Sequence, residues 1–127
     1  MVNIKSVAKS NPQDPNAENK YYAKAVATGE VDLERLAYLV SNQCTVRESD
    51  CYAVLFALQH NIMDELKQGK IVRLGTIGSF QVGVSSTAAE KSEDVGIQTV
   101  ASAHLNYRPS KRMRDMLEVV KFKVVSS

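Results

Sequence analysis

At 127 residues, with 44% apolar content and a net charge of +2, the chain has the size and composition of one globular domain. No apolar run approaches the roughly 20 residues that a membrane-spanning helix needs, and Cys44 and Cys51 match no zinc or redox spacing. The modest charge also excludes tight polyanion binding by bulk charge alone, so the placement of the basic residues matters more than their number.

The opening MVNIKSVAKS has no apolar core of the kind a signal peptide carries, so a cytosolic protein is expected. Val2 and Ile4 alternate with Asn3 and Lys5, the pattern of a half-buried strand. The polar, proline-broken SNPQDPNAENK reads as a linker, and Lys20 to Ala27, with Tyr21 and Tyr22, reads as a short extra helix. Leu33, Leu36, Ala37 and Val40 then recur at helical spacing, and Cys51, Val54, Leu55, Leu58, Ile62 and Leu66 mark a longer apolar stripe. Thr45 can cap this second helix with Glu48 three residues on, and Gly69 lies just past its end.

From Lys70 the pattern changes to KIVRLGTIGSFQV. Apolar residues alternate through Ile71, Val72 and Leu74 and again through Phe80 and Val82, while Gly75 and Gly78 allow a tight turn between two strands. About twenty weakly patterned residues follow, then YRPSKRMRDML, in which Pro109 sits where a helix would start. Lys111, Arg112 and Arg114 crowd the positive end of that helix, which favours an anionic partner over the helix's own stability. Val120, Phe122 and Val124 alternate with Lys121 and Lys123, a closing strand expected to pair with the opening one.

From Val31 to Leu117 the sequence resembles the bacterial histone-like HU and integration host factor family, and more closely its Bacteroidetes-type members with extra segments at both ends. LGTIGSFQV resembles the family's glycine-aromatic hairpin, and YRPSKRMRDML its aromatic-basic-proline-helix ending. The resemblance implies an α+β fold built as an intertwined dimer, with a helical body, a β-hairpin arm, a C-terminal basic helix and terminal strand extensions. It divides the chain into an N-terminal extension over 1–30, an HU-like DNA-binding domain over 31–118 with its arm at about 83–106, and a C-terminal strand over 119–127. It further implies a non-sequence-specific, nucleoid-associated protein that binds double-stranded DNA as a homodimer, or as a heterodimer with a paralogue. Paired arms of this kind enter the minor groove and bend the duplex. A single copy would leave much of the stripe from Val54 to Leu66 exposed, which independently favours burial against a second copy.

The arm departs from the family pattern. Between Ser85 and Asn106 the only Lys or Arg is Lys91, set among Glu90, Glu93 and Asp94, and no proline occurs between Gly83 and Arg108. Phosphates would repel such a tip, which argues against insertion and kinking. The candidate DNA-binding residues are Arg73, Lys91, Arg108, Lys111, Arg112 and Arg114, and each has a plainer reading. Arg73 fits a phosphate contact and an exposed strand face equally, Lys91 a DNA contact and a gatekeeping charge equally. Lys111, Arg112 and Arg114 would ordinarily be a solvated helix face, but their place after Tyr107 and Pro109 favours DNA. Phe80 reads as core, the cysteines as small buried side chains at helix ends, and His60 and His104 receive no role. No catalytic, cofactor-binding or metal-ligating constellation emerges, so an enzyme is the least expected class. The competing reading is a structural or protein-interaction dimer that keeps the HU-like fold with weak or lost DNA bending.

Overall fold

The computed structural model describes residues 1–126. In chain order these form β1 (Val2–Lys9), β2 (Lys20–Val26), α1 (Leu33–Ser41), α2 (Glu48–Lys67), β3 (Val72–Leu74), β4 (Gly78–Ser86), β5 (Val100–Pro109), α3 (Lys111–Val119) and β6 (Phe122–Val124). One sheet has the order β2-β1-β6 and the other β3-β4-β5. The chain divides into two compact units, one of Met1–Asp32 with Met116–Ser127 and the other of Leu33–Asp115.

In the first unit, β1 runs antiparallel to β2, from Asn3 opposite Val26 to Lys9 opposite Lys20. It also runs parallel to β6, with Val2 opposite Phe122 and Ile4 opposite Val124. The two ends of the chain therefore pair, as their alternation indicates. The expected helix over Lys20 to Ala27 is instead strand β2. A helix that short is marginal in water, whereas the strand, favoured locally only by Tyr21, Tyr22 and Val26, gains a seven-residue ladder with β1.

In the second unit, α1 packs on α2, with Ala37, Cys51 and Leu66 buried. Thr45 does not cap α2. Arg47 occupies the cap position without a side-chain bond, its carbonyl accepts the Cys51 N–H at 2.9 Å, and Glu48 and Asp50 complement the helix dipole in the first turn. The other end closes as expected, with the Gly69 N–H donated to the Leu66 carbonyl at 3.0 Å. Only one cysteine is inside. Cys51 is buried, and burial followed by the neighbouring Cys44 pushes its thiol above the usual range, whereas Cys44 is exposed because it lies in the α1–α2 connection. Much of the α2 stripe is open to solvent in the single chain: Val54 is 64% exposed and Leu58 40%, beside Phe56 at 56%. Among the described residues no helix is long and apolar enough to cross a membrane.

Candidate nucleic-acid interface

The glycine hairpin and its junction with α3 form one hydrogen-bonded knot. Leu74 accepts the Ile77 N–H at 2.7 Å, which closes the turn, and Gly75 has φ +42°. Gly78 has φ +144°, and a Cβ there would collide with the Arg108 carbonyl and come within 2.8 Å of the Tyr107 ring. β5 can therefore lie against the turn only because this position has no side chain. Tyr107 donates its hydroxyl to the Ile77 carbonyl at 2.8 Å and stacks at a tilt on Phe80, ring centres 5.1 Å apart.

Ser110 ties the turn to the helix. Its hydroxyl donates to the Thr76 carbonyl, and the same oxygen accepts the Met113 N–H at 3.2 Å. Ser110, not Pro109, therefore sets the start of α3, as its cap. Pro109 closes the β5 ladder opposite Gly78, where an edge position tolerates its missing N–H.

The register of β3-β4-β5 sorts side chains onto two faces. Val72, Phe80 and Tyr107 align on one, followed by Val82 with Leu105 and Val84 with Ala103. The other carries Arg73, Ser79 and Arg108 in one row, Gln81 with Asn106 in the next, then Gly83 with His104 and Ser85 with Ser102. Gly83 leaves room for its neighbours, since a Cβ there would meet His104 Nε2 at 2.5 Å and Asn106 Nδ2 at 2.7 Å. This polar face runs from the turn along the arm.

At its turn end, Arg73, Arg108 and Arg114 line a common cleft of about 330 Å³, with Gly75, Gly78 and Ser110 forming its floor and wall. A hollow of about 470 Å³ continues from it past Ser79, Gln81 and Asn106. All three arginines are exposed. Among the described residues none of them is in an ion pair, and Arg114 makes only a long 3.4 Å bond from Nη1 to the Pro109 carbonyl. Three guanidiniums outside any ion pair thus line one cleft, and the forked donors of such groups match phosphate geometry.

The other basic candidates stand apart from this cleft. Lys111 is exposed and pairs with Asp115 at 2.9 Å one turn along α3, and Arg112 is exposed on the same helix. Lys91 lies in the tip, at the opposite end of the β4–β5 ladder, directly before the single helical turn Ser92–Asp94. A second such turn, Ile97–Thr99, leads into β5. The sequence reading missed Ser79, Gln81, Asn106 and Ser110. The alternation of Gln81, Gly83 and Ser85 with Phe80, Val82 and Val84 was the available signal.

Residues 2–123 match the family described as HU-HIG, an HU domain fused to wHTH, Ig, or Glycine-rich motif. The chain belongs to this family. Its fold is similar to that of a protein from Bacteroides vulgatus ATCC 8482 that carries the provisional name of bacterial DNA binding protein, at 14% identity and a TM-score of 0.68. That match covers 98% of this HU-HIG chain but 48% of the other, so the chain spans about half of that relative's length. Anabaena HU, solved as a cocrystal with DNA, is similar at 17% identity and a TM-score of 0.56, over 71% of this chain and 100% of that one. No curated protein matches the chain. Three helices and two small sheets of mixed α/β type, among the described residues, thus give an HU-like fold.

Proposed function

We propose that this HU-HIG protein is a non-sequence-specific, architectural DNA-binding protein of the nucleoid, acting as a homodimer. The observation that carries the reading is the convergence of Arg73, Arg108 and Arg114 on one cleft with no carboxylate to neutralise them. In this reading the three arginines hold phosphates of double-stranded DNA, and Lys111 and Arg112 add charge on the first turn of α3. Lys91 is the arm's single cationic contact, weakened by Glu90, Glu93 and Asp94. Phosphate contacts fix the protein's position on the duplex and carry little sequence information. The arms, which carry no proline wedge at the tip, flank or partly enter the minor groove.

The second copy is supported by the exposed apolar side chains of α2. Val54 and Leu58, one turn apart on α2, leave an exposed apolar surface that a partner helix would cover, and Phe56 is exposed on the helix's other side. The test is binding of the purified protein to a random-sequence duplex across a salt series, with solution mass measured in the same buffers. A dimer with micromolar or tighter binding that weakens by about 0.9 log units per phosphate for each log unit of salt is the expected result. A dimer that ignores DNA at low salt refutes the DNA reading, and a mass that doubles only with a paralogue present replaces homodimer by heterodimer.

One observation favours a second reading, a structural or protein-interaction dimer with weak or lost bending. The tip joins Glu90, Glu93 and Asp94 to exposed Val95 and Ile97, the latter 92% exposed, a surface unlike one made for phosphate. The variant E90K/E93K/D94K separates the two: a large gain in duplex affinity places the arm beside DNA, and no change places it elsewhere.

A further inference from the structure

The terminal sheet has two unlike faces. Residues opposite each other on neighbouring strands share a face, so Lys5 stands beside Lys24 and Lys9 beside Lys20. Lys123 of β6, opposite Asn3, lies on the same face. Val7 and Tyr22 separate the two lysine pairs, and the Lys9 ammonium sits 5.3 Å from the centre of the Tyr22 ring. Ile4, Ser6, Tyr21, Ala23 and Val124 lie on the opposite face and, together with Lys5 and Tyr22, line a shallow groove. None of the three strands contains an aspartate or glutamate. Glu18, in the β1–β2 connection, borders a hollow with Lys9 and Lys20, but among the described residues none of the five lysines is in an ion pair.

Like charges directly opposite each other across a ladder repel. Two such pairs in one hairpin oppose its formation, and a local conflict of this kind is expected where a surface serves function and not stability. The length and single sign of this cationic face suit a polyanion. Paired lysines start from Cβ atoms roughly 5 Å apart. The pairs are four residues apart along β1, roughly 13 Å at about 3.3 Å per residue. Duplex DNA carries one negative charge for about every 1.7 Å of its axis, so a cationic row of this length faces several phosphates at once.

The geometry points to a second DNA-backbone contact surface on the terminal sheet, made by Lys5, Lys9, Lys20, Lys24 and Lys123. It is built from other residues than the arginine cleft, in the other compact unit, and holds whether or not that cleft binds DNA. It recognises the phosphates of duplex DNA without reading bases, and Tyr22 steadies Lys9.

The experiment compares four full-length proteins on a random-sequence duplex across a salt series: wild type, K5Q/K9Q/K20Q/K24Q, R73Q/R108Q/R114Q and the combination. The lysine variant is expected to lose at least tenfold in affinity at 0.1 M salt and to flatten the salt slope by up to about 3.6, at 0.9 per phosphate. Its urea midpoint should stay equal or rise, because repulsion is removed. The lysine-to-arginine counterpart should retain binding. If the fourfold variant fails to fold, K5Q/K24Q and K9Q/K20Q each carry the test, with an expected slope change of about 1.8. An unchanged slope overturns the inference. So does a variant that keeps its duplex slope but loses self-association or loses binding to phosphatidylserine vesicles, since the face then serves a second copy or a membrane. Loss in the lysine variant with no effect in the arginine variant leaves this inference standing and removes the cleft reading.

Discussion

The arginine cleft makes a quantitative prediction. Replacing Arg73, Arg108 and Arg114 together by glutamine removes three charges that no carboxylate balances. If each neutralises one phosphate, the slope of log affinity against log salt should fall by about 2.7 for every cleft engaged, at 0.9 per contact. At 0.1 M salt, measured against a 1 M reference, the same three contacts amount to about 500-fold in affinity, or about 3.7 kcal/mol. Little of this should come from unfolding. The side chains are exposed, and the one bond lost is Arg114 to the Pro109 carbonyl at 3.4 Å, so the stability measured by urea unfolding should change by no more than about 0.5 kcal/mol. Fluorescence anisotropy on a random duplex at five salt concentrations measures the slope, and circular dichroism checks the fold. A slope within one unit of wild type, with the fold intact, would refute the assignment of these arginines to phosphate.

Three further outcomes are expected. G78A must accommodate a Cβ against the Arg108 backbone at a φ of +144°, so urea unfolding should show a loss of roughly 1–3 kcal/mol, and wild-type stability would contradict the close approach of β5 to the turn. V54D places a charge on the exposed apolar stripe of α2, where Val54 is 64% open in the single chain. On the proposed dimer, sedimentation should then show dissociation or misfolding, and an undisturbed dimer would remove this helix from the interface. Iodoacetamide at pH 8 should modify Cys44 well before Cys51, because the buried thiol has its titration pushed up and is shielded, and equal rates by mass spectrometry would contradict that burial.

The glycine hairpin, the two core helices and the pairing of the chain ends were legible because each rests on a local signal. Gly75 and Gly78 bracket a turn, and Leu33 to Leu66 keeps helical period in two runs. Val2 with Ile4 and Phe122 with Val124 alternate with period two. Three local readings went wrong where a competing partner was invisible. Lys20–Val26 became a strand because β1 supplies its ladder, Pro109 stayed in β5 because Gly78 lies opposite it, and Thr45 was passed over because the Arg47 carbonyl begins α2.

For the sites, basic residue types near the hairpin and in the last helix could be read from the chain alone, since charge and proline placement are properties of neighbours in sequence. Which of them act together could not. Arg73 lies 35 positions before Arg108, with Arg114 six after it, and only the β3-β4-β5 register and the Ser110 knot bring the three around one cleft, while leaving Lys91 at the far end of the arm and Lys111 paired with Asp115. The lysines of the terminal sheet follow the same rule: Lys5 and Lys24 become neighbours only when antiparallel pairing sets them opposite each other, because charge is written residue by residue but a charged surface is made by strands that meet.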